Sequence, residues 1–261
     1  MNLQYLGAFL VGIFIGFLGG LFGKGGSAIA TPLLSILGFP GFIAVAAPLP
    51  ATVPGTLVAS AEYWRSNLLD WQIILWSIAI GMPATIIGSL LTIFTGSTSL
   101  LIVTGLLVMG FGISFLYGNK KNATKPVQSN LTENNKPSNW RLRLFGVAAF
   151  VGVISGLLAN SGGFLLAPSY AKFLGQPIKK SFACSLAVSA VLALPGTIVH
   201  AYLGHISWGV TGIIALGSIP FSYLGAKVAL KTKSSRLERW YGIILTLLGI
   251  YFFLHIFQNV I

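Results

Sequence analysis

Long apolar runs follow one another along most of the chain, and their lengths predict its main elements. The runs lie near residues 5–22, 27–37, 42–63, 71–95, 99–117, 144–159, 163–174, 181–203, 207–230 and 240–257. Eight of them have 16 to 25 residues, close to the length that spans a bilayer as a helix. A backbone in lipid must pair its own polar groups, so we expect helices throughout. The pattern predicts an all-α polytopic membrane protein.

Two of the runs, 27–37 and 163–174, are too short to cross about 30 Å of hydrocarbon at about 1.5 Å per residue. Each follows a cluster rich in small residues, Gly23-Lys24-Gly25-Gly26 in one case and Asn160-Ser161-Gly162-Gly163 in the other. Glycine permits sharp turns. Each short run is therefore predicted to form a broken or re-entrant hairpin with the run before it, followed by three transmembrane helices.

The stretch 119–140 is polar and cannot bury a core, which predicts a linker. It divides the chain into two transmembrane repeats, residues 1–118 and 141–261. Residues 19–26 match 156–163 at an offset of 137, and the matches Gly38 with Gly175 and Trp71 with Trp208 keep that offset. The triplets Pro54-Gly55-Thr56 and Pro195-Gly196-Thr197 match at an offset of 141, which predicts a small insertion in the second half.

Composition and charge place these helices in a membrane and orient them. The chain is 55% hydrophobic and 8% charged, with mean hydropathy +0.85. The net charge is +12, but the lysines and arginines lie mostly in short loops, as orientation signals do. We expect no nucleic-acid partner, because no basic face is interleaved with aromatic residues. Cys184 is the only cysteine, so no intrachain disulfide is possible.

If the basic loops are cytoplasmic, the first half begins outside and ends inside, and the second half does the reverse. The linker 119–140 is then cytoplasmic, and the loops near 38–42, 95–98 and 203–207 lie outside. The two repeats are predicted to have inverted topology in the cell membrane. The sequence does not indicate an oligomeric state.

Inverted repeats with broken helices are typical of secondary transporters, whose substrates bind near the midplane. The exposed N–H groups of a broken helix suit an anion. We expect Gly25, Gly26, Gly162 and Gly163 to allow close backbone approach and Ser27, Asn160 and Ser161 to donate hydrogen bonds. Lys24 has two interpretations: a counter-charge for the anion, or a side chain that reaches the cytoplasmic interface.

Two helix faces are candidates for the lining of a transport pathway. In run 181–203 the small and polar side chains of Ser181, Ser185, Ser189, Gly196 and His200 fall on one stripe. In run 42–63 the corresponding face carries Pro48, Thr52, Gly55 and Thr56. We include Thr52, Thr56, Ser185, Ser189, Thr197 and His200 among the candidate substrate-binding residues. Close helix packing explains the same small residues, and His200 is either a proton carrier or a packed neutral side chain.

Enzyme, cofactor and metal motifs are absent, so we expect no enzyme, no cofactor and no metal site. Two alternatives to a transporter stay open. An anion channel would share the apolar helices. An intramembrane serine hydrolase would use Ser161 with His200, although the break in the first half has no equivalent pair.

The motifs resemble those of the TauE/SafE family of sulfite and organosulfonate exporters. The resemblance rests on the glycine-rich segments 16–26 and 152–163, on Thr31-Pro32 and Pro168, on the two Pro-Gly-Thr triplets, and on Asp70-Trp71 and Ile206-Ser207-Trp208. It implies a permease for small sulfur-containing anions in a bacterial-type cell membrane. It implies no particular set of binding residues.

Overall fold

The computed structural model describes residues 3–23, 27–91, 106, 109–116, 139–157 and 160–260. Regular structure in these residues is helical, as predicted. The helices are α1 Leu3–Phe22, α2 Ser27–Ile36, α3 Gly41–Ala46, α4 Pro48–Arg65, α5 Trp71–Leu91, α6 Trp140–Leu157, α7 Gly163–Phe173, α8 Ile178–Tyr202, α9 Trp208–Lys231 and α10 Ser234–Val260. Residues 109–116 are also helical.

Six helices of the described chain are long and apolar enough to cross a membrane: α1, α3 with α4, α5, α6, α8 and α9. Several begin before the apolar run that predicted them, because charged residues such as Arg141 and Lys179 continue the helix beyond the hydrophobic window. Trp140, which was assigned to the linker, is the first residue of α6. Residues 119–138 of that predicted linker lie outside the described residues.

Each short helix folds back along the long helix before it. At the end of α2, the Leu37 carbonyl accepts a hydrogen bond from Gln4 Nε2 at 3.4 Å. At the end of α7, the Phe173 carbonyl accepts one from Arg143 at 3.4 Å. The chain therefore returns to the level at which α1 and α6 began, so the predicted hairpin geometry is present.

Glycines mediate two extensive helix contacts, α1 with α9 and α5 with α6. A Cβ on Gly12 would lie 2.5 Å from the Ile214 carbonyl oxygen, and one on Gly152 would lie 2.6 Å from that of Gly81. A side chain at either position would separate the two backbones. Such close approach is the usual way to pack helices in lipid, where no hydrophobic effect drives association.

The contacts between helices also give their directions. Gly12 and Gly20 of α1 meet Ile214 and Ser222 of α9 in the same order, so these helices are parallel. Gly152 and Gly156 of α6 likewise meet residues 81 and 85 of α5 in order. Tyr63 near the end of α4 donates a hydrogen bond to Gly20 O near the end of α1, at 3.0 Å, so these two helices also run in the same direction.

Tight turns join α4 to α5 and α8 to α9, so the helices of each of these two pairs run in opposite directions. Helices α1, α4 and α9 thus point one way, and α5, α6 and α8 point the other way.

Backbone conformation corrects the predicted insertion. Gly38 and Gly175 both have positive φ, 81° and 64°, and Pro40 and Pro177 follow with nearly identical angles. After the next helices, Asn67 and Gly204 also share positive φ, 54° and 70°. All three pairs keep the offset of 137, so no residue is inserted between them. The Pro-Gly-Thr triplets instead lie about one helical turn out of register.

Candidate functional site

The break before α7 lies deep in the helix bundle. Gly162 precedes α7 with φ 72°, and a Cβ there would collide with Ser155 Oγ and lie 3.3 Å from Val151 Cγ1. These two residues are beyond the middle of the 18-residue helix α6, about 16–22 Å from its first residue. The N-terminus of α7 therefore lies inside the bundle and not at the level where α6 begins.

The N-cap residue of α7 is Gly162, which has no side chain that could cap the helix. The Leu165 and Leu166 N–H groups both donate to the Gly162 carbonyl at 3.0 Å, whereas the Gly163 and Phe164 N–H groups precede the first acceptor within the helix. A helix end of this kind carries a partial positive charge and unsatisfied donors. It can bind an anionic group.

The predicted stripe of α8 reaches the same place. Ser185 Oγ donates a hydrogen bond to the Gly163 carbonyl at 3.0 Å, so Ser185 contacts the start of α7 directly. Ser189 lies one turn further along, fully buried. In the described part of the chain, the side-chain oxygens of Ser189 and Thr197 have no hydrogen-bond partner.

Thr52 and Thr56 are buried on α4, but their hydroxyl hydrogens are committed to their own helix. Thr52 Oγ1 donates to Leu49 O at 3.0 Å and Thr56 Oγ1 to Val53 O at 2.8 Å. Only the oxygen lone pairs of these two residues remain available. Gly55 of the same predicted face is turned toward α9, where a Cβ would lie 2.7 Å from Ser222 Oγ.

His200 lies apart from the other predicted residues. It is in the last turn of α8, and its Nδ1 is 3.2 Å from Nδ1 of His205 in the following loop. The neighbouring Tyr202 is 93% exposed. Ser185 contacts Gly163, and His200 is a further 15 residues along α8, about 22 Å. The structure therefore does not bring Ser161 and His200 together as a hydrolase would require.

The first break is described only at its borders. Lys24, Gly25 and Gly26 lie outside the described residues, and of Ser27 only the backbone is described. Gly23 has φ 67° and packs against the backbone of Phe182. Because α2 has 10 residues and ends beside Gln4, its first residue lies about 17–20 Å along α1. Both short helices thus start near the middle of the bundle.

Two residues near the α7 break were missed by sequence reasoning. Tyr241 of α10 donates to the Phe164 carbonyl at 3.4 Å. That carbonyl lacks its helical partner because Pro168, four residues on, has no N–H, and this proline was a signal that could have been used. Ser155 is 1% exposed and its Oγ has no hydrogen-bond partner in the described residues. No sequence pattern distinguished it from a packing serine.

The two halves also meet where α5 and α8 begin. Asp70 Oδ2 lies 3.9 Å from Lys180 Nζ, and the Asp70 N–H donates to Cys184 Sγ at 3.3 Å. Arg65, the last residue of α4, and Lys227, near the end of α9, lie close to each other. We call this the basic end of the bundle.

A family sequence model described as sulfite exporter TauE/SafE matches residues 8–252. The chain belongs to this family. The TauE/SafE match covers both halves and both breaks, as the motif resemblance predicted.

Relatives of this TauE/SafE protein carry the description "Probable membrane transporter protein". The one from Xylella fastidiosa (strain 9a5c) is 27% identical over 244 residues, which cover 91% of this chain and 90% of that protein. YjnA of Bacillus subtilis (strain 168) is 25% identical over 237 residues, 84% of this chain and 88% of that protein. One from Methanocaldococcus jannaschii is 26% identical over 261 residues, 94% of each. The protein is a multi-pass membrane transporter.

Proposed function

We propose that this TauE/SafE protein moves small anions, with sulfite and organosulfonates as the first candidates, by alternating access between two inverted repeats. The observation that carries the proposal is the N-terminus of α7, which begins after Gly162 in the interior of the bundle. A helix that starts there offers amide donors and a partial positive charge, which can replace the hydration shell of an anion.

The helix directions support the inverted arrangement. In the first half α1 and α4 run one way and α5 the other, whereas in the second half α6 and α8 run with α5 and α9 runs with α1. This is the order expected when one repeat is turned over in the membrane. Alternating access follows if the halves rock about a substrate held between them.

Within this scheme the predicted residues keep their roles. Gly25, Gly26, Gly162 and Gly163 allow the backbone to approach the anion, and Ser27, Asn160 and Ser161 supply hydrogen bonds, with Lys24 as an added charge. Thr52, Thr56, Ser185, Ser189 and Thr197 line the path on α4 and α8, and His200 marks its end near the loop before α9. The basic end and linker 119–140 lie on the cytoplasmic side of the cell membrane.

Purified protein in proteoliposomes tests the proposal with sulfite, sulfoacetate and sulfate, against vesicles without protein. We expect saturable, protein-dependent movement of at least one of them. Flux that grows without saturation would favour the channel alternative, and no protein-dependent movement of any of the three would contradict the proposal.

A pair of glycine variants tests the location of the site. Gly162 and Gly175 both have positive φ, 72° and 64°, so Gly162→Ala and Gly175→Ala carry the same kind of backbone strain. Only the Cβ at Gly162 meets other atoms, since nothing lies within 4 Å of one at Gly175. We expect Gly162→Ala to lose most of the anion flux and Gly175→Ala to keep it. Equal flux in the two variants would place the site elsewhere.

A further inference from the structure

Ser155 is one of three helical residues of the described chain, with Ser189 and Thr197, whose buried hydroxyl has no hydrogen-bond partner. Thr85, Ser89 and Thr246 donate to the carbonyl four residues earlier, at 2.8, 2.9 and 2.8 Å. Ser155 is buried, at 1% exposed, yet its Oγ makes no such bond and has no other hydrogen-bond partner among the described residues. A buried hydroxyl without a partner lowers the free energy of unfolding, so we expect a bound ligand to supply the missing acceptor.

This hydroxyl lies against Gly162, the N-cap residue of α7. A Cβ on Gly162 would occupy its space, so only glycine leaves room for the oxygen at this point. On another side of the break, Ser185 Oγ is already bonded to the Gly163 carbonyl. Ser155 contributes a hydroxyl at this helix end that has no acceptor among the described residues.

The surrounding charge suits an acceptor that is negatively charged. The chain has four acidic residues, Glu62, Asp70, Glu133 and Glu238, and none belongs to α6 or α7. A hydroxyl hydrogen together with helix amides makes a cluster of donors, which an oxyanion can satisfy with several oxygens at once.

We propose that Ser155 Oγ donates a hydrogen bond directly to the transported oxyanion, at the N-terminus of α7. The inference rests on the proposed function. It also makes the substrate site asymmetric, because the equivalent position in the first half, 137 residues earlier, is the apolar Leu18. The oxyanion head is held by the second half.

Ser155→Ala tests the inference, with Ser222→Ala as the control. Ser222 is also a buried helical serine, but its Oγ donates to Gly16 O of α1 at 3.2 Å. We expect Ser155→Ala to raise the KM for sulfite or sulfoacetate flux by about 10- to 100-fold, the effect of one hydrogen bond to a charged group. Flux at saturation should change little, and Ser222→Ala should keep the wild-type KM.

Thermal unfolding separates a lost ligand contact from a damaged fold. Without anion, Ser155→Ala should unfold at the wild-type temperature or above, because an unpaired buried hydroxyl is removed. The stabilisation that sulfite gives to the wild type should shrink. If the wild type moves sulfite and Ser155→Ala keeps both its KM and its stabilisation, this inference fails while the proposed function stands. If the wild type moves no oxyanion, both fail.

Discussion

The two ends of the bundle have the same order of helices and turns but different side chains. At the basic end, Asp70 meets Lys180 and Cys184 across the contact between the halves. The equivalent positions at the opposite end, 137 residues away along the chain, are Ser207, Ile43 and Ala47. There a neutral hydrogen bond, Thr211 Oγ1 to Ala47 O at 3.1 Å, joins α9 to α4.

The two breaks differ in the same manner. The second break combines the Ser155 hydroxyl with Asn160 and Ser161, whereas the equivalent residues in the first half are Leu18, Gly23 and Lys24. Symmetry of the fold therefore does not require symmetry of the chemistry. The repeated backbone builds two short helices that follow a break, and the side chains at non-matching positions give the two breaks different hydrogen-bonding groups.

The largest effect on stability should come from the glycine contacts that pack α1 against α9 and α5 against α6. Gly12→Val and Gly152→Val each force a side chain against a facing carbonyl at 2.5 or 2.6 Å, and we expect each to lower the free energy of unfolding by about 3 kcal/mol. Gly146→Val is the matched control on α6, because nothing lies within 4 Å of a Cβ there. Thermal or denaturant unfolding in detergent measures all three. A loss in only one of the two glycine variants would show that the two glycine contacts are not equivalent.

The starts of α5 and α9 should respond differently to loss of their polar residues. Asp70 Oδ1 accepts hydrogen bonds from the N–H groups of Gln72 and Ile73, at 3.1 and 3.3 Å, whereas Ser207 makes no side-chain cap. Asp70→Ala should lower the free energy of unfolding by about 1–2 kcal/mol. The same measurement on Ser207→Ala should show almost no change, and equal losses would contradict the difference drawn between the two ends.

The smallest effect concerns opening of the basic end. Cys184 is the only cysteine and is 1% exposed, so a thiol reagent should reach it only when α5 and α8 separate. Asp70→Asn keeps a capping side chain and removes the charge facing Lys180, which should raise the labelling rate by about two- to fivefold. Glu62→Gln is the control, since Glu62 pairs with Arg65 within α4. Mass spectrometry of the labelled chain gives both rates, and identical rates would mean that the ion pair does not hold this end.

Sequence reasoning predicted the helices and the two short ones well, because a bilayer leaves few alternatives for a long apolar run. The glycine clusters before α2 and α7 also gave a true signal of broken helices. Residue spacing could not show that Ser155 lies beside Gly162, since that contact depends on how far α7 folds back along α6. The stripe on α8 includes Ser185, which contacts the start of α7, and its part in substrate binding stays a prediction. The same periodicity also selects His200, because a periodic pattern contains no information about depth in the bundle. The structure places that residue near a loop.

The central claim is that an oxyanion binds at the start of α7. Selenite, the heavier analogue of sulfite, allows the anion to be located by its anomalous scattering in crystals of the wild-type protein. We predict a peak within hydrogen-bonding distance of Ser155 Oγ and the first amides of α7. A peak only among the exposed lysines of the basic end, or none at a selenite concentration that competes fully with sulfite flux, would contradict this account.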